Sequence, residues 1–351
     1  MSRFSPALVA LLSGVLVTPM AALPSVDPAP GGKVFISSCT VMFALKSSGG
    51  SSTRPGFGDD RNSRVEVSVS REFNITGHDS TAFQRITDAI CAGAPSELTA
   101  AGYEVISEGI TEHYAYQRAL KSGQASPQPQ GRSGSAYLAY APTGQQIMNS
   151  FVVGVSNSVG IITGETTVGT KLGANPVSLL YSVDFADIDG ARTGRGVRQN
   201  TARVTADLQI SVGLTITTYD VSRSRCATGS PFGEYRNLEF CNLRNGNAPN
   251  EGTYSIPDSL EVRTRDPIVS VEENTSGASR VGMAVFNAAM AVASVGGGGG
   301  GGFVNAKRFA VTVEPTKYEQ ASIEGARGLI APAMRWINEP ETRPRGRRGR
   351  D

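Results

Sequence analysis

The sequence predicts an α+β (α/β) fold in which helices pack on an antiparallel or mixed sheet. A helix–strand–helix pattern covers residues 80–123, and apolar residues occupy every second position over residues 204–216. Of the 351 residues, 39% are hydrophobic, 18% are charged and 41 are glycine. This balance is typical of a loop-rich domain that contains β-structure, and not of a helical bundle. We predict a single domain over residues 33–338.

The chain begins with a pattern typical of a secretory signal. Arg3 supplies a positive start, residues 7–17 are apolar, and small residues at 21–22 resemble a cleavage site. The apolar run is shorter than the ~20 residues that a membrane-spanning helix needs. We therefore predict a signal peptide over residues 1–22, a linker over residues 23–32 and export of the mature chain.

Two strands and two helices are expected in the first third of the mature chain. Residues 33–45 and 65–75 have strand patterns and should pair across a Gly/Ser loop at residues 47–63. The helix that follows contains Pro95, which should kink it or divide it in two. A second helix is expected at residues 108–122.

The most regular strand pattern lies at residues 179–221. Two strands there should form an antiparallel hairpin around a Gly/Arg turn, with a bulge near Gly213. Its apolar face either packs under helices or forms a membrane or assembly hairpin. The residues of that face are Leu179, Tyr181, Val183, Phe185, Leu208, Ile210, Val212, Leu214 and Ile216. Ahead of the hairpin, residues 137–173 predict irregular or β-like structure.

The C-terminal part has weaker signals. Residues 280–295 predict a helix of small apolar residues that is too short to span a membrane. The glycine run at 296–302 predicts a flexible connector, since it lacks the Lys and strand context of a phosphate loop. A last strand is expected at 309–313, and a last helix at 319–338 should bend at Pro332.

The chain contains four cysteines, at positions 39, 91, 226 and 241. In an exported protein an even number indicates disulfides, here with three connectivities. Cys226 and Cys241 flank a turn-rich segment, so we predict that they pair. Cys39 and Cys91 either pair with each other or remain buried thiols.

The sequence contains no motif typical of an enzyme. Its two histidines, His78 and His113, lie in contexts typical of surface residues. Asp184, Asp187 and Asp189 cluster near a turn, but their spacing does not match a calcium-binding loop. We therefore predict a non-enzymatic protein with no catalytic residues, no cofactor and no metal site.

Residues 339–351 predict a disordered tail that is rich in arginine. Positions 341–351 contain five arginines and two acidic residues. Such a run is typical of a solvated tail, or of contact with an anionic surface such as lipid headgroups or a cell-wall polymer. An exported chain without interleaved aromatic residues is not expected to bind nucleic acid. The arginines are Arg343, Arg345, Arg347, Arg348 and Arg350.

Four segments suggest a family. They are the first strand at 34–43, Ala-x-Gly-Tyr-x-Val at 100–105, the paired strands that end in Thr-Tyr-Asp-Val at 218–221, and the closing helix at 319–338. Their order resembles the periplasmic core of the CsgG-type curli secretion-channel family. The resemblance implies a periplasmic α/β domain that associates with itself or with other envelope proteins. The chain lacks that family's anchoring cysteine and has insertions at 47–63, 137–175 and 226–257.

We expect a non-enzymatic exported envelope protein that acts as a structural or accessory component of an outer-membrane assembly or secretion system. One alternative is a self-oligomerising outer-membrane channel that uses the hairpin at 179–221. Another is a secreted hydrolase or ligand-binding protein whose site lies in residues 137–175. The expected partners are further copies of the chain or other envelope proteins, with membrane contact in the case of a channel.

Overall fold

Several predicted segments lie outside the part of the chain that the structure describes. These are the signal peptide, most of the linker, the glycine run and the arginine tail. The computed structural model describes residues 32–52, 67–132, 135–193, 201–228, 239–243, 254–255, 262–274, 282–284, 290–293 and 303–338.

The described residues form six α-helices and fifteen strands. The helices are α1 (Ser80–Ala100), α2 (Tyr114–Leu120), α3 (Ser150–Val153), α4 (Val155–Leu172), α5 (Pro315–Ala326) and α6 (Ile330–Asn338). The strands are β1 (Lys33–Ser52), β2 (Val67–Thr76), β3 (Glu104–Val105), β4 (Gln128–Arg132), β5 (Ser135–Tyr140), β6 (Asn175–Thr193), β7 (Thr201–Thr218), β8 (Ser224–Thr228), β9 (Glu239–Leu243), β10 (Tyr254–Ser255), β11 (Val262–Thr264), β12 (Ile268–Glu273), β13 (Gly282–Ala284), β14 (Met290–Ala293) and β15 (Phe303–Val313).

One mixed sheet organises the fold. Its strands follow the order β10-β7-β6-β1-β2-β15-β12-β13, while β8 and β9 form a separate hairpin. β1 pairs in parallel with β6 and in antiparallel with β2 and β5, and β6 pairs in antiparallel with β7. The predicted fold class, a mixed sheet with helices packed on it, is confirmed.

The sheet separates two hydrophobic cores. The larger core lies between the sheet and α1, α5 and α6, and the smaller one lies beneath α2, α3 and α4. Phe43 of β1 stacks on Phe83 of α1 in the larger core, with ring centroids 4.3 Å apart. Its neighbour Met42 faces the smaller core. Because successive strand residues point to opposite faces, β1 contributes to both cores.

The helix α1 runs without interruption through Pro95, so the expectation of two shorter helices is wrong. Asp79 begins it, since its side chain accepts a hydrogen bond from the Thr81 N–H at 2.9 Å. The next helix, α2, starts at Tyr114 and not at residue 108. The His113 side chain caps it by accepting the Ala115 N–H.

Residues 155–172 form the helix α4, which corrects the prediction of irregular or β-like structure at 137–173. The Thr166 hydroxyl donates to the Ile162 carbonyl, and Thr170 donates to Thr166 in the same way. At Gly164 an added Cβ would lie 2.6 Å from Ala119 Cβ, so glycine lets α2 approach closely. Tertiary packing therefore overrides the weak helix propensity of a Thr/Gly sequence.

Three boundary predictions are also wrong. Residues 47–52, expected as a loop, continue β1 and pair with β2. The expected helix at 280–295 contains β13 and β14, which pair with β12 and β7 at the margins of the sheet. The expected helix at 319–338 is divided into α5 and α6 at Gly328, whose φ of 77° suits glycine. Pro332 lies in the first turn of α6, where its missing N–H is not needed.

The predicted hairpin at 179–221 is confirmed as β6 and β7, but the bulge lies elsewhere. The pairing register shifts between Asp184 and Ala186, whereas Gly213 pairs regularly with Ser182. Among the described residues, none of the helices has the length and apolar character needed to cross a bilayer.

Candidate functional site

The apolar face of the β6–β7 hairpin lies in the larger core. Eight of its nine predicted residues are buried, and Leu208 packs at the edge of the same core. The helices α5 and α6 cover this face with Tyr318, Ile330, Met334 and Trp336. The prediction of a hairpin that packs under helices is therefore confirmed.

The sheet contains two long hairpins, β1–β2 and β6–β7, which separate from each other halfway along β1. Residues 34–43 of β1 pair with β6, and residues 46–52 pair with β2 instead. Since β5 pairs with β1 at both Phe43 and Lys46, it occupies one edge throughout. The other edge of β1 must therefore pair first with β6 and then with β2. The bulge in β6 coincides with the point at which it leaves β1.

The parts of the two hairpins beyond this point, called their far halves below, pack face to face. Val69 of β2, Val204 of β7 and Ile188 of β6 form a separate small cluster, although β2 and β7 are not neighbours in the sheet. An added Cβ at Gly49 of β1 would lie 2.5 Å from Ile188 Cγ2. The sheet thus folds over on itself in this region.

This arrangement leaves backbone edges at two places. Within the stretches that the structure describes, no strand pairs with residues 188–193 of β6 on the edge that faced β1. Likewise, no described strand pairs with residues 49–52 of β1 on the edge that β5 occupied. Such edges present N–H and C=O groups that another strand can use.

Arg71 of β2 is a buried cation in the far half, and sequence reasoning missed it. Its side chain is only 2% exposed, and its Nη1 donates to the Ser70 carbonyl at 2.8 Å. Burial lowers the pKa of Arg71, and the charge of Glu273 opposes that effect. The alternation of β2 gives a signal, because position 71 lies between the core residues Val69 and Phe73.

The smaller core contains a polar layer centred on Glu165 of α4, which sequence reasoning also missed. Glu165 is 1% exposed, and burial raises its pKa to about 7. Tyr116 of α2 lies near enough for this carboxyl to raise its pKa, to about 12 together with burial. The Tyr116 hydroxyl donates to the Ser37 carbonyl at 3.3 Å. Tyr219, after β7, closes the layer and also has a raised pKa.

A separate hydrogen-bonded group joins the start of α3 to the sheet. The hydroxyls of Ser38 and Ser178 lie 2.6 Å apart on β1 and β6. Asn149, which is fully buried, donates from Nδ2 to Ser178 Oγ at 2.9 Å. Its Oδ1 accepts the Phe151 N–H and caps α3. These contacts fix the position of α3 on the sheet.

Both cysteine pairs form disulfides. Cys226 pairs with Cys241 across β8 and β9, as predicted, and Cys39 of β1 pairs with Cys91 of α1. The Cys241 N–H donates to Thr167 Oγ1 at 2.9 Å, so the β8–β9 hairpin is fastened to α4. Disulfides are compatible with an oxidising compartment.

The two histidines make contacts that stabilise the fold. His113 caps α2, and burial and the nearby Lys171 lower its pKa. His78 stacks on Phe83 with ring centroids 5.0 Å apart, and its pKa is lowered by burial. Thus neither histidine is placed beside the buried carboxyl of α4 in the contacts described.

The predicted acidic cluster at Asp184, Asp187 and Asp189 falls on β6. In the described part of the chain, no group of acidic, histidine or cysteine side chains is arranged to hold a metal ion. Asp184 lies near Tyr318, whose pKa rises through burial and through this charge. The arginines at 343–350 lie outside the described residues. No protein-family model, curated protein or solved structure matches the chain.

Proposed function

We propose that the chain is a non-enzymatic exported envelope protein that assembles with further copies of itself. It acts as a structural component of an outer-membrane assembly or secretion system, in the manner that its resemblance to the CsgG-type family implies. The observation that carries the proposal is the separation of the β1–β2 and β6–β7 hairpins, after which no described strand pairs with one edge of residues 49–52 and one edge of residues 188–193.

Export is supported by the signal pattern at residues 1–22 and by the two disulfides. Disulfides persist in oxidising compartments such as the bacterial periplasm. One disulfide links the central strand β1 to α1, and the other closes the separate β8–β9 hairpin.

Self-assembly is supported by the positions of the two edges. One edge belongs to β1 and the other to β6, so they lie on different hairpins. When the edge of one copy pairs with the unlike edge of the next copy, a single type of head-to-tail contact satisfies both edges of each copy. Such a head-to-tail contact closes into a ring when the rotation between copies permits it.

A non-enzymatic role is supported by the use of the titratable groups. His113 is engaged in a helix cap, and Asp207 in an ion pair with Arg265 at 2.5 Å. The buried Glu165 lies beneath α4 with an exposed fraction of 1%. A general base must instead reach a substrate within hydrogen-bond distance.

Cross-linking between two cysteine variants tests the head-to-tail contact. One batch carries Ser52→Cys and the other carries Ala191→Cys, and a short bismaleimide is added to each batch and to their mixture. We expect the mixture to give dimers that contain one copy of each variant. A matched control, Thr111→Cys at an exposed position away from both hairpins, should give none.

Native mass spectrometry of the mature chain, with and without detergent, provides the second test. A monomer at every concentration, or cross-links that are equally frequent in the Thr111→Cys control, would contradict self-assembly. Recovery of the chain only in the cytoplasmic fraction would contradict export.

A further inference from the structure

The polar layer beneath α4 contains a carboxyl group that no described cation neutralises. Glu165 is 1% exposed, and among the described residues no Lys or Arg forms an ion pair with it. The hydroxyl of Ser37 lies near enough to lower the pKa of Glu165, but burial, which raises it, is the larger effect. Charged side chains are rarely fully buried without such a partner.

Several oxygen atoms of this layer make no hydrogen bond. They are Thr40 Oγ1, Thr217 Oγ1 and Glu165 Oε1. A buried polar atom without a partner costs about 1–3 kcal/mol, and an ionised carboxylate costs more. The layer can therefore accept a neutral Glu165 far more readily than a charged one.

The helix that carries Glu165 is held on both sides. Gly164 lies against Ala119 of α2, and Thr167 accepts the Cys241 N–H of the β8–β9 hairpin. Glu165 lies between these contacts and faces the sheet through Ser37. A charge at this point can gain water only if α4 moves away from the sheet.

We propose that Glu165 acts as a proton-controlled latch, which holds α4 on the sheet when it is protonated and loosens the α2–α4 layer when it ionises. This inference does not depend on self-assembly, since α4 lies apart from the far halves of the hairpins. Burial raises the pKa of Glu165 to about 7, so the latch changes state close to neutral pH.

Among the titratable groups that the structure describes around the layer, Glu165 has a pKa near neutral. From α2, Tyr116 has a pKa raised to about 12 by burial and by Glu165, and His113 has a lowered pKa. From the segment after β7, Tyr219 has a raised pKa. The described part of β1 contributes hydroxyl groups to the layer, and Lys171 of α4 lies near enough to His113 to lower the pKa of that histidine.

Hydrogen exchange at pH 6 and pH 9 tests the latch, with rates corrected for the intrinsic effect of pH. We expect amides of α4 and α2 to lose about tenfold in protection between these values, while α1 loses less. Glu165→Gln preserves the size of the side chain but cannot ionise, so its α4 protection should be the same at both values.

Glu324→Gln is the matched control, because Glu324 is exposed on α5. This variant should lose protection in α4 as the unmodified protein does. An equal loss in α1 and α4, or a loss that Glu165→Gln retains, would overturn the latch. If Glu165→Gln does not fold, the unmodified protein provides the test. A ratio of α4 to α1 protection that is the same at pH 6 and pH 9 would overturn the latch.

Discussion

Gly49 of β1 lies against Ile188 of β6, where an added Cβ would stand 2.5 Å from Cγ2 of the isoleucine. Because Cγ2 is bound directly to Cβ, this methyl group cannot move away without a change of rotamer or backbone. We expect Gly49→Ala to lower the free energy of unfolding by about 1–3 kcal/mol, as overpacking does elsewhere. Urea denaturation measures it.

Gly131→Ala is the control for that prediction, since nothing lies within 4 Å of a Cβ added at Gly131. Its effect should stay within about 0.5 kcal/mol. The double variant Gly49→Ala/Ile188→Ala should lose less stability than the sum of the losses in the two single variants, because the two residues are in contact. Strict additivity of the two substitutions would argue against this packing.

The two disulfides should differ in their contribution to stability. Cys39–Cys91 closes a sequence separation of 52, and Cys226–Cys241 closes one of 15. In the chain-entropy account these loops correspond to about 4 and about 3 kcal/mol. We therefore expect the double variant Cys39→Ala/Cys91→Ala to unfold at lower urea concentration than Cys226→Ala/Cys241→Ala. The reverse order would show that local contacts of β9 with α4 dominate.

Glu97 of α1 should make stability depend on pH. The backbone N–H groups of Gly328 and Ile330 donate to it, but burial is the larger effect and raises its pKa above 4.5. The folded state thus binds this proton more tightly than the unfolded state, and stability falls as the pH rises through the folded pKa. We expect Glu97→Gln to reduce the loss of stability between pH 4 and pH 8.

Denaturation series at several pH values measure that effect, with Glu112→Gln, at an exposed position, as the control. Glu97→Ala removes the acceptor altogether and should lower stability by about 1–3 kcal/mol at low pH, with a smaller effect at high pH, where the buried carboxylate is itself unfavourable. Identical pH profiles for Glu97→Gln and the unmodified chain would contradict the prediction.

Asn149 should be among the most sensitive polar residues. It is 0% exposed, donates to Ser178 Oγ and caps α3. We expect Asn149→Ala to lower the free energy of unfolding by roughly 2–3 kcal/mol, because a helix cap and a buried hydrogen bond to Ser178 are lost together. Asn157→Ala, which removes only a 3.5 Å contact to a carbonyl, should change it by less than about 0.5 kcal/mol. Thermal and urea unfolding can compare the two.

The sequence predicted elements whose side chains repeat with a clear period. The alternation over 204–216 identified β7, and the helical spacing after residue 80 identified α1. It failed where distant packing decides the structure. The Thr/Gly sequence of α4 becomes helical because Gly164 admits α2, and the apolar residues near 290 become β14 because β7 offers them an edge.

The candidate sites were harder to predict for a related reason. Glu165 stands alone in its helix, and only the fold brings Ser37, Tyr116 and Tyr219 around it. Similarly, the edges at 49–52 and 188–193 arise because β2 replaces β6 beside β1, which no local pattern reveals. The Cys226–Cys241 pair was predictable because its partners are close in sequence.

Since β1 pairs with both β2 and β6, it is also the path by which mechanical load would travel through the molecule. Tension applied at the far end of β1 acts along the strand and shears its parallel pairing with β6 at residues 34–43. The Cys39–Cys91 bond lies within that stretch and links the strand covalently to α1. A pulled assembly would therefore peel apart in its far halves first, while the larger core stays anchored.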